Sequence, residues 1–268
     1  MQEVFRGLCR TGNISMKGIK FGLAACAAAL SLGSMAEGAA AEEERQFGYA
    51  LTLTGASDYM FRGISYSDEN PTVNAYLELN YGIAYLAFWT SNVDYGPVGP
   101  WEQDVYLGIR PTTGAVNWDL AAYYYIYGNR DKGEFGSSTD IDYFEFKIGA
   151  SGTVAPNLTA GATLWLTPDQ GYAATENVSL EGSLAYELPK VDKFTPTLSG
   201  LVGYSDSGTN RYYPTGYWLG KESYTYWNAG LNVTVDKFFM DFRYWDTTID
   251  EDLADTKFVF SAGVNLLP

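Results

Sequence analysis

The sequence predicts an all-β protein, a transmembrane antiparallel up-and-down β-barrel of about twelve strands. Two observations carry this reading. From Phe47 to the C-terminus, stretches of about ten residues alternate apolar and polar, which places two kinds of side chain on opposite faces of a strand. The connectors between the stretches are alternately short and long, as in barrels that have tight periplasmic turns and longer extracellular loops. Val116–Tyr127 shows the pattern. One face reads Val116, Trp118, Leu120, Ala122, Tyr124, Ile126, and the other Asn117, Asp119, Ala121, Tyr123, Tyr125, Tyr127.

The chain before Phe47 is expected to lie outside the barrel. Met16–Lys20 is a basic n-region, Phe21–Leu32 an apolar, Ala-rich h-region, and Ala39-Ala40-Ala41 an A-x-A cleavage site. Together they describe a secretory signal peptide over residues 1–41. Residues 1–15 do not resemble part of it, so Met16 is expected to be the true start. A lipoprotein signal at Cys26 is disfavoured, because too few residues separate Lys20 from that cysteine. Residues 42–268 are then the mature barrel. They contain neither cysteine (Cys9 and Cys26 fall in the removed part), so an exported chain must be held by its closed backbone ladder rather than by disulfides.

The expected strands are Phe47–Ala56, Thr72–Tyr81, Ile83–Asn92, Glu102–Arg110, Ala115–Tyr127, Ile141–Gly152, Asn157–Thr167, Val178–Leu188, Thr197–Tyr204, Tyr224–Val235, Phe238–Asp246 and Thr256–Leu267. The third and the ninth have no clear phase. Short connectors include Tyr81-Gly82, Pro111–Gly114, Thr153–Pro156, Pro189–Pro196 and Asp236-Lys237, where Pro, Gly, Asn and Asp are turn chemistry. Long connectors are Ser57–Pro71, Val93–Trp101, Gly128–Asp140, Pro168–Asn177, Ser205–Ser223 and Thr247–Asp255. A soluble β-sandwich also alternates apolar and polar, but it has no reason to sort its loops by length.

Composition narrows the function. The formal charge of −15 becomes about −17 once four basic and two acidic residues leave with the signal segment. That excludes nucleic acid as a partner, because phosphate binding needs clustered Lys and Arg. The 22 Tyr and 7 Trp suit a surface that passes from lipid to water. Tyr49, Tyr81, Trp118, Tyr186 and Phe238 fall near the turn side, and Trp89, Tyr106, Trp227 and Tyr244 nearer the loop side, as two girdles. The chain has no histidine, which removes Ser-His hydrolysis and most zinc chemistry. No enzyme activity, cofactor or metal site is expected. The acidic loop residues Asp68, Glu69, Asp94, Asp131, Asp250, Glu251 and Asp252 lack calcium-loop spacing and read as a solvated outer surface.

The segment SDYMFRGISYSDENP (Ser57–Pro71), the run Trp89–Asp94, and WDLAAYYYIYG, DYFEFKIGAS, SLEGSLAYELP and FRYWDTTID further on resemble the TorF family of porin-like proteins. The likeness runs over nearly the whole mature chain. It implies an outer-membrane barrel and a pore, with no solute named. One departure is the end Asn265-Leu266-Leu267-Pro268. Family members tend to end on an aromatic residue, so assembly machinery is expected to recognise this terminus less well.

The registers point eleven charges inward as pore-lining candidates: Glu78, Glu102, Asp104, Arg110, Asp119, Glu145, Lys147, Glu181, Glu187, Asp241 and Arg243. Acids outnumber bases eight to three, and charged rings along a narrow path set ion preference, so a weak cation preference is expected. The plainer alternative is that these charges pair and fill the lumen. In the first long connector, Asp58 and Arg62 are constriction candidates, with Arg62 reaching lumen acids. The favoured reading instead has them anchoring the loop to the barrel rim. The function expected is passive diffusion of small solutes or ions across the outer membrane of a Gram-negative bacterium. The alternative is a closed barrel with a structural or surface-binding role through its acidic loops, favoured if Tyr123, Tyr125, Tyr127 and Trp165 pack the lumen. Outer-membrane lipid is the expected partner, and the oligomeric state is left open.

Overall fold

The computed structural model describes residues 47–94, 98–129 and 141–267, with only the backbone of Val98, Gly128 and Asn129. The segment read as a signal peptide, the proposed start at Met16, most of the third long connector and Pro268 lie outside the described residues. Twelve long strands form one antiparallel sheet: β1 (Phe47–Ala56), β2 (Thr72–Tyr81), β3 (Ala84–Asn92), β4 (Val98–Ile109), β5 (Val116–Asn129), β6 (Tyr143–Ala155), β7 (Leu158–Thr167), β8 (Asn177–Glu187), β9 (Thr195–Ser207), β10 (Ser223–Val235), β11 (Phe238–Thr247) and β12 (Lys257–Leu267). Each pairs with its sequence neighbours, and β1 pairs with β12 (Thr54 opposite Gly263), so the sheet closes on itself. Closure leaves no edge strand and satisfies the backbone within the sheet, which a chain in hydrocarbon requires. A two-layer sandwich is therefore ruled out.

The turn side is built by residues that tolerate φ > 0. Gly82, Gly114, Asn157, Asp192 and Asp236 each occupy one of the five short connections with φ between 50° and 61°. Gly, Asn and Asp adopt this conformation most readily, and it matches the twist of the flanking strands. The long connectors gather at the other end. The strands differ from their expected bounds mainly at the loop side: β4 begins at Val98, inside the predicted second loop, and β9 runs on to Ser207.

Alternation sorts the side chains. Leu107, Val178, Leu180, Val202, Phe242 and Phe258 stand outward and exposed, which suits lipid and not water. Both strands of unclear phase resolve. On β3, Tyr85, Ala87, Trp89 and Ser91 are buried inside, while Phe88 faces out. On β9, Leu201 and Ser205 are inside, while Leu198, Val202 and Tyr204 face out. This corrects part of the expected loop-side girdle. Trp89 and Tyr106 are buried in the lumen cluster, because they share the inner phase of Ser91 and Asp104. Tyr244, packed edge-on against Phe258 at 5.3 Å, stays on the outer face, and Tyr49, Tyr81, Trp118, Tyr186 and Phe238 are exposed as expected.

Val202 lies near the middle of β9 on the outer face. Val202→Arg is expected to destabilise the folded barrel in lipid vesicles by about 2–4 kcal/mol, the cost of an arginine near the bilayer midplane. Reversible denaturant titration measures it, and a change under about 0.5 kcal/mol would contradict a lipid-facing position.

Candidate functional site

The interior divides into two tiers. At the loop side, the first long connector folds down into the barrel. Met60-Phe61 and Ile64-Ser65 pair as a small hairpin. Its two-residue turn is Arg62-Gly63, with φ of 50° and 85°. This is the positive-φ pattern of a type I′ turn. At Gly63 a Cβ would also strike Thr247 and Tyr226 of the wall, so glycine is needed for both reasons. Arginine is an uncommon choice at positive φ and costs on the order of 1 kcal/mol or more there. Its side chain explains the choice. The Arg62 guanidinium, 2% exposed, donates to Glu145 of β6 at 2.7 Å. It also lies over the rings of Phe61, Trp165 and Trp218 at 4.7, 5.2 and 5.7 Å.

Further bonds fix the loop around this pair. Ser65 and Ser67 each donate to the Asp58 carboxylate at 2.7 Å, and the Tyr59 amide donates to Ser67 Oγ at 3.0 Å. The Tyr59 hydroxyl donates to Glu102 at 2.9 Å, and that of Tyr224 to the Arg62 carbonyl at 3.0 Å. Tyr59, Met60, Phe61, Arg62, Ile64 and Ser65 are all buried. The expectation that Asp58 and Arg62 anchor the loop at the rim is thus corrected. Asp58 organises the loop internally, and Arg62 is carried to a carboxylate inside the barrel. The wall supplies the rest of the filling. Tyr125 stacks on Tyr143 at 4.5 Å, and Tyr106 lies 4.1 Å from Tyr123. Trp165 and Tyr226 both donate to Glu181, at 3.0 and 2.8 Å.

The turn-side tier is ionic and partly open to water. Arg110 makes a bidentate pair with Glu78 at 2.8 and 2.9 Å and stacks over Tyr85 at 3.8 Å. Lys147 donates to Asp119 at 2.8 Å. Arg243 pairs with its own-strand neighbour Asp241 at 2.9 Å and donates to Asn228 and Ser199. The side chains of Arg110, Asp119 and Lys147 remain 25%, 16% and 15% exposed.

Ten of the eleven inward candidates thus line the interior in paired or buried positions, and Glu187 stands exposed at the turn-side end of β8. The expectation that the charges simply pair holds for half of the acids. Glu78, Asp119, Asp241 and Glu145 have basic partners. Glu102, Asp104 and Glu181 are buried without one among the described residues. Among the described residues, Glu102 Oε2 and Asp104 Oδ1 accept no hydrogen bond from a donor group. No group of three acidic, His or Cys side chains suited to a metal ion occurs among the described residues. At the outer rim, Glu69 pairs with Lys257 at 2.9 Å. Sequence reasoning missed Tyr59, Trp218 and Tyr226. The available signal was the Arg-Gly turn between Met60-Phe61 and Ile64-Ser65, which reads as a tight hairpin and not as an open loop.

A family model described as a bacterial protein of unknown function (Gcw_chp) matches residues 38–265. No curated protein matches the sequence. Among solved structures, the KdgM porin is similar with a TM-score of 0.50 at 7% identity, over 81% of this chain and 97% of that one. The KdgM porin in complex with disordered oligogalacturonate gives the same values. The NanC porin gives a TM-score of 0.50 at 11% identity, over 81% and 98%. At these identities the likeness is one of fold.

Arg62→Met is expected to destabilise the barrel by about 3–5 kcal/mol, because it leaves the buried Glu145 carboxylate uncompensated. Adding Glu145→Gln to that chain is expected to recover part of the loss. Denaturant unfolding of both variants reads the difference, and a loss below about 1 kcal/mol for Arg62→Met alone would show that the pair does not hold the loop.

Proposed function

The chain belongs to the Gcw_chp family of bacterial proteins of unknown function, and we propose that it is a porin-like outer-membrane channel held closed by its first long loop. The observation that carries this reading is the nature of the closure. The loop-side lumen is stopped largely by a segment that is not part of the wall, held to it by the Arg62–Glu145 ion pair and by the hydrogen bonds of Tyr59 and Tyr224. Beneath it lies an ionic, partly hydrated turn-side tier. Displacing the loop would extend that wet tier toward the outer end. The resemblance to the TorF family agrees with this reading, and export through a signal peptide at residues 1–41 is part of the same proposal.

The solutes proposed are small and neutral or cationic. Seven acids and three bases of the wall line the interior, Arg62 adds a fourth base, and all four bases are already paired. The acids without a basic partner among the described residues are Glu102, Asp104 and Glu181; with the loop displaced and water admitted they would ionise and favour cations over anions. Oligogalacturonate, the polyanion named with the KdgM porin, does not suit such a lumen. No covalent chemistry is assigned, since the chain lacks imidazole.

One observation favours a second reading. Tyr123, Tyr125, Tyr127 and Trp165 fill the lumen beside the loop. In a permanently closed barrel these residues would be core, and function would lie in the acidic outer loops.

Single-channel recording in a planar bilayer under a salt gradient separates the two. The native protein is expected to give small, infrequent steps with a cation-shifted reversal potential. Arg62→Ala is expected to raise the open probability or the step size several-fold. A folded, heat-modifiable barrel that stays silent in both forms would favour the closed barrel.

A further inference from the structure

The outer face carries one feature that a lipid-facing wall does not need. Across β2, β3 and β4, the outward residues Ala75, Thr90 and Gln103 lie opposite one another in a row. The next row toward the turn side is Leu77, Phe88 and Val105, and Trp101 lies beyond Gln103 toward the loops. Small side chains between larger rows leave a shallow dent of about 290 Å³ that reaches Ile126 on β5. Gln103 stands exposed at this dent. Its strand neighbours on the same face are Trp101 and Val105, and its partner across to β5 is Ile126, so the amide sits within the apolar band.

That amide has no hydrogen-bond partner among the described residues. The nearby polar groups are already engaged. Thr90 donates to the Glu102 carbonyl at 2.9 Å. Asn92 accepts from the Val73 amide at 2.8 Å and donates to the Pro71 carbonyl at 3.2 Å. Acyl chains offer neither donor nor acceptor, so an isolated amide in hydrocarbon is unfavourable. A primary amide carries both a donor and an acceptor. Two such amides related by a twofold axis satisfy each other with a pair of N–H···O bonds, a self-complementary contact.

We propose that the outer face of β2–β4 is the interface of a twofold homodimer in the membrane. Gln103 of each copy pairs with Gln103 of the other, and the dent beside Ala75 receives apolar side chains of the partner. The axis runs along the membrane normal, which keeps both barrels in the same orientation.

The test uses the full chain expressed and exported to outer membranes. Thr90→Cys, beside Gln103 on the same outer row and with Gln103 kept, is expected to give a covalent dimer in the membrane with a bismaleimide that spans about 10 Å, the spacing of two facing sheets. Val202→Cys, five strands around the barrel, is expected to give none. The protein without substitutions, extracted in mild detergent, is expected to run as a dimer by native mass spectrometry. Gln103→Leu, still heat-modifiable and so folded, is expected to run as a monomer. A monomeric unsubstituted protein, with or without bound lipid, would overturn the proposal. So would a Gln103→Leu dimer, or equal cross-linking at both cysteine positions.

Discussion

A backbone in hydrocarbon finds no water to bond, and most of what this chain does follows from that constraint. The ladder must be complete, so β1 has to meet β12. Closure removes the edges and at the same time encloses a space. With eight strands, wall side chains alone fill such a space, and with sixteen or more an aqueous channel remains. Twelve strands fall between these limits. Here the excess space is taken up by wall aromatics together with a segment borrowed from the first loop, and by ionic side chains at the turn end.

The borrowed segment brings a charge with it, and the Arg62–Glu145 pair makes that tolerable. A guanidinium cannot shed its proton in a protein, so burying it demands a carboxylate and aromatic faces. Glu145 is itself oriented by Tyr125 and Thr167, which donate to it at 3.0 and 2.9 Å. Buried ion pairs add little net stability but penalise misplacement heavily. The pair therefore acts as a positional device: a loop that settles elsewhere leaves two buried charges unmatched. The strained turn at Arg62 fits the same account, since a residue with easier access to positive φ would not bring the charge.

The sheet was legible in the sequence because its signals are local. Period-two alternation marked the strands, and Gly82, Gly114, Asn157 and Asp236 marked the tight turns. Alternation also aimed Glu78, Asp119, Glu145, Lys147 and Asp241 inward without any knowledge of their partners. The interior of the loop side was not legible. Whether Ser57–Pro71 lies on the rim or in the lumen depends on contacts between residues far apart in sequence, such as Arg62 with Glu145. On β3, Tyr85, Trp89, Phe88 and Leu86 look alike by hydropathy. An aromatic packed against a plug and one packed against lipid carry the same signal, which is why Trp89 and Tyr106 were expected outside.

The central claim is that residues 58–67 form a seated plug and not an exposed loop. Hydrogen–deuterium exchange on the protein in lipid nanodiscs tests it directly, read on peptides that cover Asp58–Ser67. Protection of these amides at a level near that of β10 and β11, with far faster exchange in the acidic connector around Asp250–Asp252, is the result this account predicts. Exchange across 58–67 as fast as in that connector would contradict it.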